Sequence, residues 1–469
     1  MRIVKLESKD KILGFLERYN ASTPRKLSDR VSNLEDYAEK LNEFARNYTI
    51  CLESEPVGFF SFYDNDISKK MAYLTLIAVD ERYQNMHLGS YAIQFICNEC
   101  RKIGITRICL EVDKNNLAYH FYEKKGFNVV GEASEYSVYM EKEIHMFYWE
   151  KKGLIFNPAD CEPRPYWRWN FAQGENSLLY DDFIRVYFCC RERPNEEGQT
   201  IGRVSYVDLS RDNPCDIIKI ADKPVLELGG LGEFDEFGTY PFCVIRNQGK
   251  IYGYYGGVTR CESVPFNTSI GCAVSEDNGE TFQKIGRGPV LTHSLYEPFM
   301  VCSPKVRIYD GKWYMFYSAG IQWTKEAERP EICYKLCMAV SRDGVHWEKC
   351  NRHIMKDKIG EMESQACGDV VFKNGKFHMF FCYRGHIDFR KNAQNSYRIG
   401  YASSTDLIHW KREDEKAGID VSPNPGAWDS EMVAYPHVFE CDGKVYMLYL
   451  GNEVGKYGFG LAELKGSLE

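Results

Sequence analysis

No stretch of this 469-residue chain is apolar for long enough to span a bilayer, and its start, Met1-Arg2-Ile3-Val4-Lys5-Leu6, lacks the hydrophobic region of a signal peptide. The expectation is a cytoplasmic protein with no membrane partner. Long runs of like charge are also missing: the net charge of −8 is spread along the chain, which argues against nucleic acid as a partner. There is no flexible glycine–serine linker. Cysteine is not scarce, at 18 residues, but Cys97-x-x-Cys100 has no second pair at zinc spacing. Most other cysteines, such as Cys243, Cys272, Cys302 and Cys382, sit singly in strand-like runs. They read as small apolar residues kept reduced, with no metal centre. What is present is 44% hydrophobic and 27% charged, the composition of a globular protein, on a length that exceeds one ordinary core. Two domains are expected.

In the first third, residues 10–20 and 32–46 carry helical periodicity, with Leu34, Tyr37, Leu41 and Phe44 on one face. Strands are predicted at Tyr48–Leu52, Pro56–Tyr63 and Met71–Val79, then a helix at Leu88–Ile103 and a strand at Arg107–Val112. A further helix, Leu117–Lys125, stops at Gly126, and one more strand closes a mixed α/β domain. Between the third strand and its helix lies Val79-Asp80-Glu81-Arg82-Tyr83-Gln84-Asn85-Met86-His87-Leu88-Gly89-Ser90. Unpaired N–H groups and the partial positive charge of a helix N-terminus bind pyrophosphate. About thirty residues later comes Asn115-Asn116-Leu117-Ala118-Tyr119-His120-Phe121-Tyr122-Glu123-Lys124-Lys125-Gly126-Phe127.

Together these two segments resemble the acetyl-CoA signature of the GNAT family of N-acetyltransferases. The family's loop reads Gln/Arg-x-x-Gly-x-Gly/Ala, and His87 stands where its first glycine would be. The resemblance implies acetyl-CoA bound by Ile77, Val79, Gln84, Asn85, Met86, His87, Leu88, Gly89, Ser90, Asn115, Ala118 and Tyr122. It also implies that Tyr122 protonates the departing thiolate, while Glu111, on the preceding strand, is a candidate base.

The remaining two thirds repeat. Gly249-Lys250-Ile251-Tyr252, Gly311-Lys312-Trp313-Tyr314, Gly375-Lys376-Phe377-His378 and Gly443-Lys444-Val445-Tyr446 each open a hydrophobic strand after a turn, and a weaker copy starts at Asp181. The steps are 68, 62, 64 and 68 residues. Asp277, Asp343 and Asp406 begin a second recurring turn, each followed by an aromatic residue. Five four-stranded units about one axis make a five-bladed β-propeller. The pattern resembles the five-bladed glycoside hydrolases and their relatives, the arabinanases, fructosidases and mannoside phosphorylases. The fold class expected is therefore an α/β GNAT fold over 1–147 followed by an all-β five-bladed propeller over 148–469. The interval Glu141–Glu150 is left as a short junction.

Carboxylates recur ahead of successive inner strands, and such residues are expected to converge on one funnel. Asp235 is the candidate base, Glu297 the acid or a sugar ligand, and Asp429 or Glu431 the remaining carboxyl partner. Substrate contacts are expected from Arg164, Trp169, Tyr240, Glu363, Asp369, Arg384, Tyr435 and His437, because arginine pairs with anions and aromatic faces stack on sugars. The combined expectation is a bifunctional enzyme of surface-glycan sugar biosynthesis. It would acetylate an amino sugar, nucleotide-linked, and hydrolyse its glycosidic or anomeric phosphate bond, as in nonulosonic (pseudaminic-type) acid synthesis. Two alternatives stand beside it: a non-catalytic carbohydrate-binding propeller, or a protein acetyltransferase with a propeller scaffold. Oligomeric state is left open.

Overall fold

The computed structural model describes residues 2–20, 26–52, 55–66, 68, 70–84, 86, 88–144, 147–325, 329–424 and 426–468. Asn85 and His87 of the expected phosphate-binding loop lie outside them. The chain separates into two compact units, Met1–Met146 with Pro423–Gly426, and Phe147–Ser422 with Ala427–Glu469. Among the described residues no helix is long and apolar enough to cross a membrane.

The first unit is built on one mixed sheet. Its strands are β1 (Arg2–Lys5), β2 (Arg46–Leu52), β3 (Glu55–Tyr63), β4 (Met71–Val79), β5 (Arg107–Asp113), β6 (Asn128–Glu132) and β7 (Ser137–Glu143). They lie in the order β1-β2-β3-β4-β5-β7-β6, and β4 and β5 run parallel. The hairpin β6–β7 replaces the single closing strand that the sequence order predicts. Helices α1 (Lys9–Tyr19) and α2 (Leu34–Phe44) cover one face; α3 (Leu88–Lys102) and α4 (Ala118–Lys124) cover the other. Asn33 starts α2 by accepting the N–H of Glu35, and Glu35 and Asp36 in its first turn suit the helix dipole. Cys97 and Cys100 lie within the α3 core, where burial pushes the Cys100 thiol up to about 12. All eighteen cysteines are free thiols.

The second unit has five sheets of four strands. The inner strands of blades one to five are Asn170–Leu179, Thr239–Asn247, Val301–Tyr309, Ser364–Lys373 and Ala434–Cys441. Four of the hairpins that leave them turn on Gln248-Gly249, Asp310-Gly311, Asn374-Gly375 and Asp442-Gly443, with φ of +49 and +78, +50 and +73, +51 and +76, and +51 and +75 degrees. Two successive left-handed residues make the tight turn whose twist matches paired strands, hence the recurring glycine. Blade five takes its outermost strand from the start of the unit: Tyr148–Phe156 pairs antiparallel with Phe459–Lys465. The expected junction over 141–150 is corrected accordingly. Residues 141–143 belong to β7 and 148–150 to blade five, whose sheet draws strands from both ends of the propeller sequence and so ties the ring shut.

Candidate functional site

In the first unit, parallel pairing of β4 and β5 extends only from Met71–Arg107 to Leu74–Leu110. At Thr75, β4 bulges against β3, where the register jumps from Ser61–Leu76 to Phe62–Leu74. Beyond that point β4 and β5 part and leave a wedge with one edge of β4 unpaired. An extended, amide-bearing ligand can add to such an edge. Ile77 and Val79 lie on this segment of β4, and the chain leaving it leads directly to the N-terminus of α3. Of the loop residues, Gln84 is exposed, Met86 and Ser90 are half-buried, and Leu88 is buried. A Cβ on Gly89 would stand 3.1 Å from the Phe121 ring, so this glycine lets α3 approach α4 closely. Arg82 is engaged by Asp80 at 3.1 Å and Glu55 at 3.2 Å.

Tyr122 of α4 is buried, 5.4 Å from the Phe127 ring centre, and burial pushes its phenol well above the ordinary value. A phenol that holds its proton is what a donor to sulfur needs. Glu111 is exposed on β5 and accepts a 2.6 Å hydrogen bond from the Ser137 hydroxyl. Asn115 donates its N–H to Asp113 at 2.9 Å and Ala118 donates to Asn116 at 2.9 Å, which fixes the turn into α4. Two residues sit here to which the sequence pattern gives no site role: Tyr37, read only as part of a helix face and bonded at 2.6 Å to Thr75 in the bulge, and Tyr73, within electrostatic reach of Glu111, Tyr37 and Tyr139. They come from separate elements and share no local pattern.

Each propeller carboxylate expected in the funnel, Glu431 excepted, is buried and paired with a cation. Asp235, 0% exposed, pairs at 2.5 Å with Lys284 on the outermost strand of its own blade. Glu297, 4% exposed, accepts the Tyr317 hydroxyl at 2.7 Å and pairs with Lys349, again on the outermost strand. Glu363 takes Arg412 at 2.6 Å together with the N–H groups of Lys358 and Ile359. Asp429, 3% exposed, takes Lys151 at 2.6 Å and the Tyr449 hydroxyl at 3.2 Å, and Lys151 lies on the closing strand. Each carboxylate therefore lies across its own sheet and clips the inner-strand approach to the outer edge. Asp235, Glu297 and Asp429, expected as funnel carboxylates, and Glu363, expected as a substrate ligand, thus each meet a cation inside their own blade, as burial of a charge demands. Glu431 is exposed; its backbone N–H donates to Asn452 at 2.8 Å and its carbonyl accepts from Arg398 at 2.9 Å.

Asp369 and His437, expected as substrate contacts, have partners within the protein. They join a ring of bonds between neighbouring inner strands. Asn176 accepts from Val244 N–H at 3.0 Å; Cys243 Sγ accepts from Val306 N–H at 3.3 Å; Arg307 pairs with Asp369; Asp369 accepts from Val438 N–H at 2.8 Å and from His437 Nδ1 at 2.8 Å. The N–H of Ser177 donates to His437 Nε2 at 2.8 Å, which closes the ring and fixes the proton on Nδ1. Burial, helped by Lys305, lowers His437 to about 4, so it is neutral at pH 7. Arg384 is likewise buried, donating to the carbonyls of Gly385, His386 and Ile332.

Every inner strand carries a two-residue bulge where its register with the next strand shifts. The second bulge residue is Pro241, Pro304, Gly368 and Pro436 in blades two to five, and Glu175 in blade one. Glu175 is 0% exposed, and neither carboxyl oxygen has a hydrogen-bond partner among the described residues. Burial pushes its pKa well up against the pull of Lys305. The sequence does not single it out, because the polar run Asn170–Ser177 does not look like a buried inner strand. Tyr240 and Tyr435 meet hydroxyl to hydroxyl at 3.4 Å, and Arg164 stacks on Trp169 at 3.6 Å.

Known proteins resemble both units. The acetyltransferase (GNAT) family model matches residues 12–127, and the glycosyl hydrolases family 32 N-terminal domain matches 305–459. Glucosamine 6-phosphate N-acetyltransferase of Arabidopsis thaliana is 25% identical over 138 residues, 27% of this chain and 89% of that protein. A 1,2-β-oligomannan phosphorylase of Thermoanaerobacter sp. is 23% identical over 248 residues, 52% of this chain and 74% of that one. A solved glycoside hydrolase shares the propeller fold at a TM-score of 0.53, with 15% identity over 68% of this chain and 92% of its own. The uncharacterized protein Rv1502 of Mycobacterium tuberculosis is 35% identical over 319 residues, 68% of this chain and 99% of that protein. The chain thus joins an N-terminal acetyltransferase (GNAT) family domain to a five-bladed propeller of the glycoside hydrolase type, and it belongs to the family of Rv1502.

Proposed function

We propose that the first unit transfers an acetyl group from acetyl-CoA to the amine of an amino sugar, and that the propeller binds the same class of sugar and cleaves its glycosidic or anomeric phosphate bond. The observation that carries the first step is the wedge between β4 and β5, with a proton-holding phenol, Tyr122, and an exposed carboxylate, Glu111, on the elements that border it. The similarity to a glucosamine 6-phosphate N-acetyltransferase supports an amino sugar as the acceptor. In the second step the proton donor is Glu175, the carboxyl of the inner strands left without a partner. Its proton passes to the departing oxygen, water attacks the anomeric carbon, and the proton lost by that water restores the acid. The two steps together belong to the making of sugars for surface glycans.

A second reading has its own support. The four clipped carboxylates favour a propeller that binds sugar without cleaving it. One experiment separates the two. The purified chain is incubated with acetyl-CoA and glucosamine, its 1- and 6-phosphates and nucleotide-linked amino sugars, and mass spectrometry follows acetyl gain and leaving-group release separately. Both signals, with Glu175→Gln losing only the second, establish the bifunctional reading. Acetylation alone leaves a binding propeller, and no acetylation of any sugar sinks the proposal.

A further inference from the structure

Where blade five meets blade one, the propeller holds a cavity of about 670 Å³, the size of a small-molecule site. Ile155 and Phe156, at the end of the closing strand, line one side. Ile217 and Ile220, on the outermost strand of blade one (Ile217–Ile220), line another, and Pro163 and Pro165 add to the apolar wall. No residue assigned above to acetyl transfer or to bond cleavage borders it. Arg168 does, and it is 6% exposed. Its Nη1 donates to the Ala221 carbonyl, and its guanidinium lies 5.0 Å from the centre of the Trp167 ring. Its Nε has no hydrogen-bond partner, and among the described residues no carboxylate forms an ion pair with it. Burial lowers its pKa. Neither a carbonyl nor a ring neutralises such a charge, so a counter-ion is wanted. Three carboxylates, Asp160, Glu162 and Asp222, line the same cavity, but all three are exposed. Among the described residues none of them pairs with a cation; Asp160 accepts from Asn157 Nδ2 at 3.2 Å. They repel a simple anion, and a dianion more strongly. A ligand with one carboxylate and one ammonium satisfies both signs, its carboxylate as the planar partner of the guanidinium. The cation is buried and the carboxylates are exposed, so the two ligand charges belong at different depths, joined by an apolar body.

We propose that this cavity binds a small zwitterion, its carboxylate on Arg168 and its ammonium among Asp160, Glu162 and Asp222, with a dipeptide of apolar residues as the simplest case. The site is separate from both reactions proposed above and rests on neither.

Calorimetric titration of the full chain at low ionic strength tests the site without measuring catalysis. The probes are the dipeptide Ala-Phe, its N-acetyl form, its C-terminal amide and free phenylalanine. Ala-Phe is expected to bind at least about tenfold more tightly than either blocked form, since each lacks one charge-assisted contact. Arg168→Gln is expected to weaken Ala-Phe by roughly 30-fold or more, the loss typical of truncating one partner of a buried charge pair. Asp222→Asn alters an exposed side chain and leaves the fold intact; it is expected to weaken binding about two- to fivefold. Phenylalanine binding as tightly as Ala-Phe, and lost in Arg168→Gln, keeps the site and assigns it to free amino acids. A blocked form that binds as tightly as Ala-Phe overturns the proposal. So does the absence of Ala-Phe binding at millimolar concentration, or binding unchanged in both variants.

Discussion

At the scale of single residues, function and stability separate cleanly at two positions. Tyr122 keeps its hydroxyl free of hydrogen bonds among the described residues while its ring fills the core. Tyr122→Phe is therefore expected to fold normally and to lower the kcat of acetyl transfer by about 100-fold, with KM for acetyl-CoA little changed. A kcat within a factor of two of wild type would remove Tyr122 from the chemistry. Glu175 behaves in the opposite sense. Its pKa is raised in the folded state, so folding is favoured most below the unfolded value, about 4.3, and loses stability as pH rises toward the folded value. Glu175→Gln should accordingly be more stable than wild type at pH 7, by roughly 1–3 kcal/mol, with the gap closing near pH 4. Thermal melts at the two pH values decide it. The same variant should lose leaving-group release. A loss of release in a protein that melts higher cannot be ascribed to misfolding.

At the scale of elements, the blade clip explains a pattern that looks like an active site in the sequence. Positions 235, 297, 363 and 429 keep the repeat length because each serves its own blade. Asp235→Asn leaves the Lys284 ammonium without its partner in a buried setting, and about 3–5 kcal/mol of stability should be lost. Pairing it with Lys284→Met should restore most of that loss, since a desolvated ion pair is often replaceable by apolar side chains. A specific loss of turnover in a fully stable Asp235→Asn protein would return this residue to the catalytic set. The closing strand makes a second case. A propeller that starts at 160 lacks Tyr148–Phe156, so Asp429 loses Lys151 and the apolar strand Phe459–Lys465 becomes the exposed edge of blade five. It should aggregate on expression, whereas one that starts at 147 should be obtained folded and show a single cooperative melt.

At the scale of the whole molecule, local periodicity and tertiary closure divide the information between them. The strands and helices of the first unit were legible because apolar spacing and the glycine or asparagine at element ends act over a few residues: Met71–Val79 is found as predicted, and Leu88–Lys102 ends one residue early. The propeller was legible because a repeated unit writes its turns four times, with left-handed glycine at 249, 311, 375 and 443. Blade one was faint, since its hairpin at Asp181-Asp182 lacks that glycine and its inner strand is polar. The direction of a carboxylate, by contrast, is decided by which cation stands across the sheet, and those partners lie up to 278 residues away, as for Lys151 and Asp429. By itself the sequence determined the two folds, the five-fold repeat and the acetyltransferase signature, because each rests on short-range spacing. Only the tertiary structure decided which carboxyls are neutralised and which one is left without a hydrogen-bond partner among the described residues, because charge compensation in a closed ring is a property of strands brought together from distant parts of the chain.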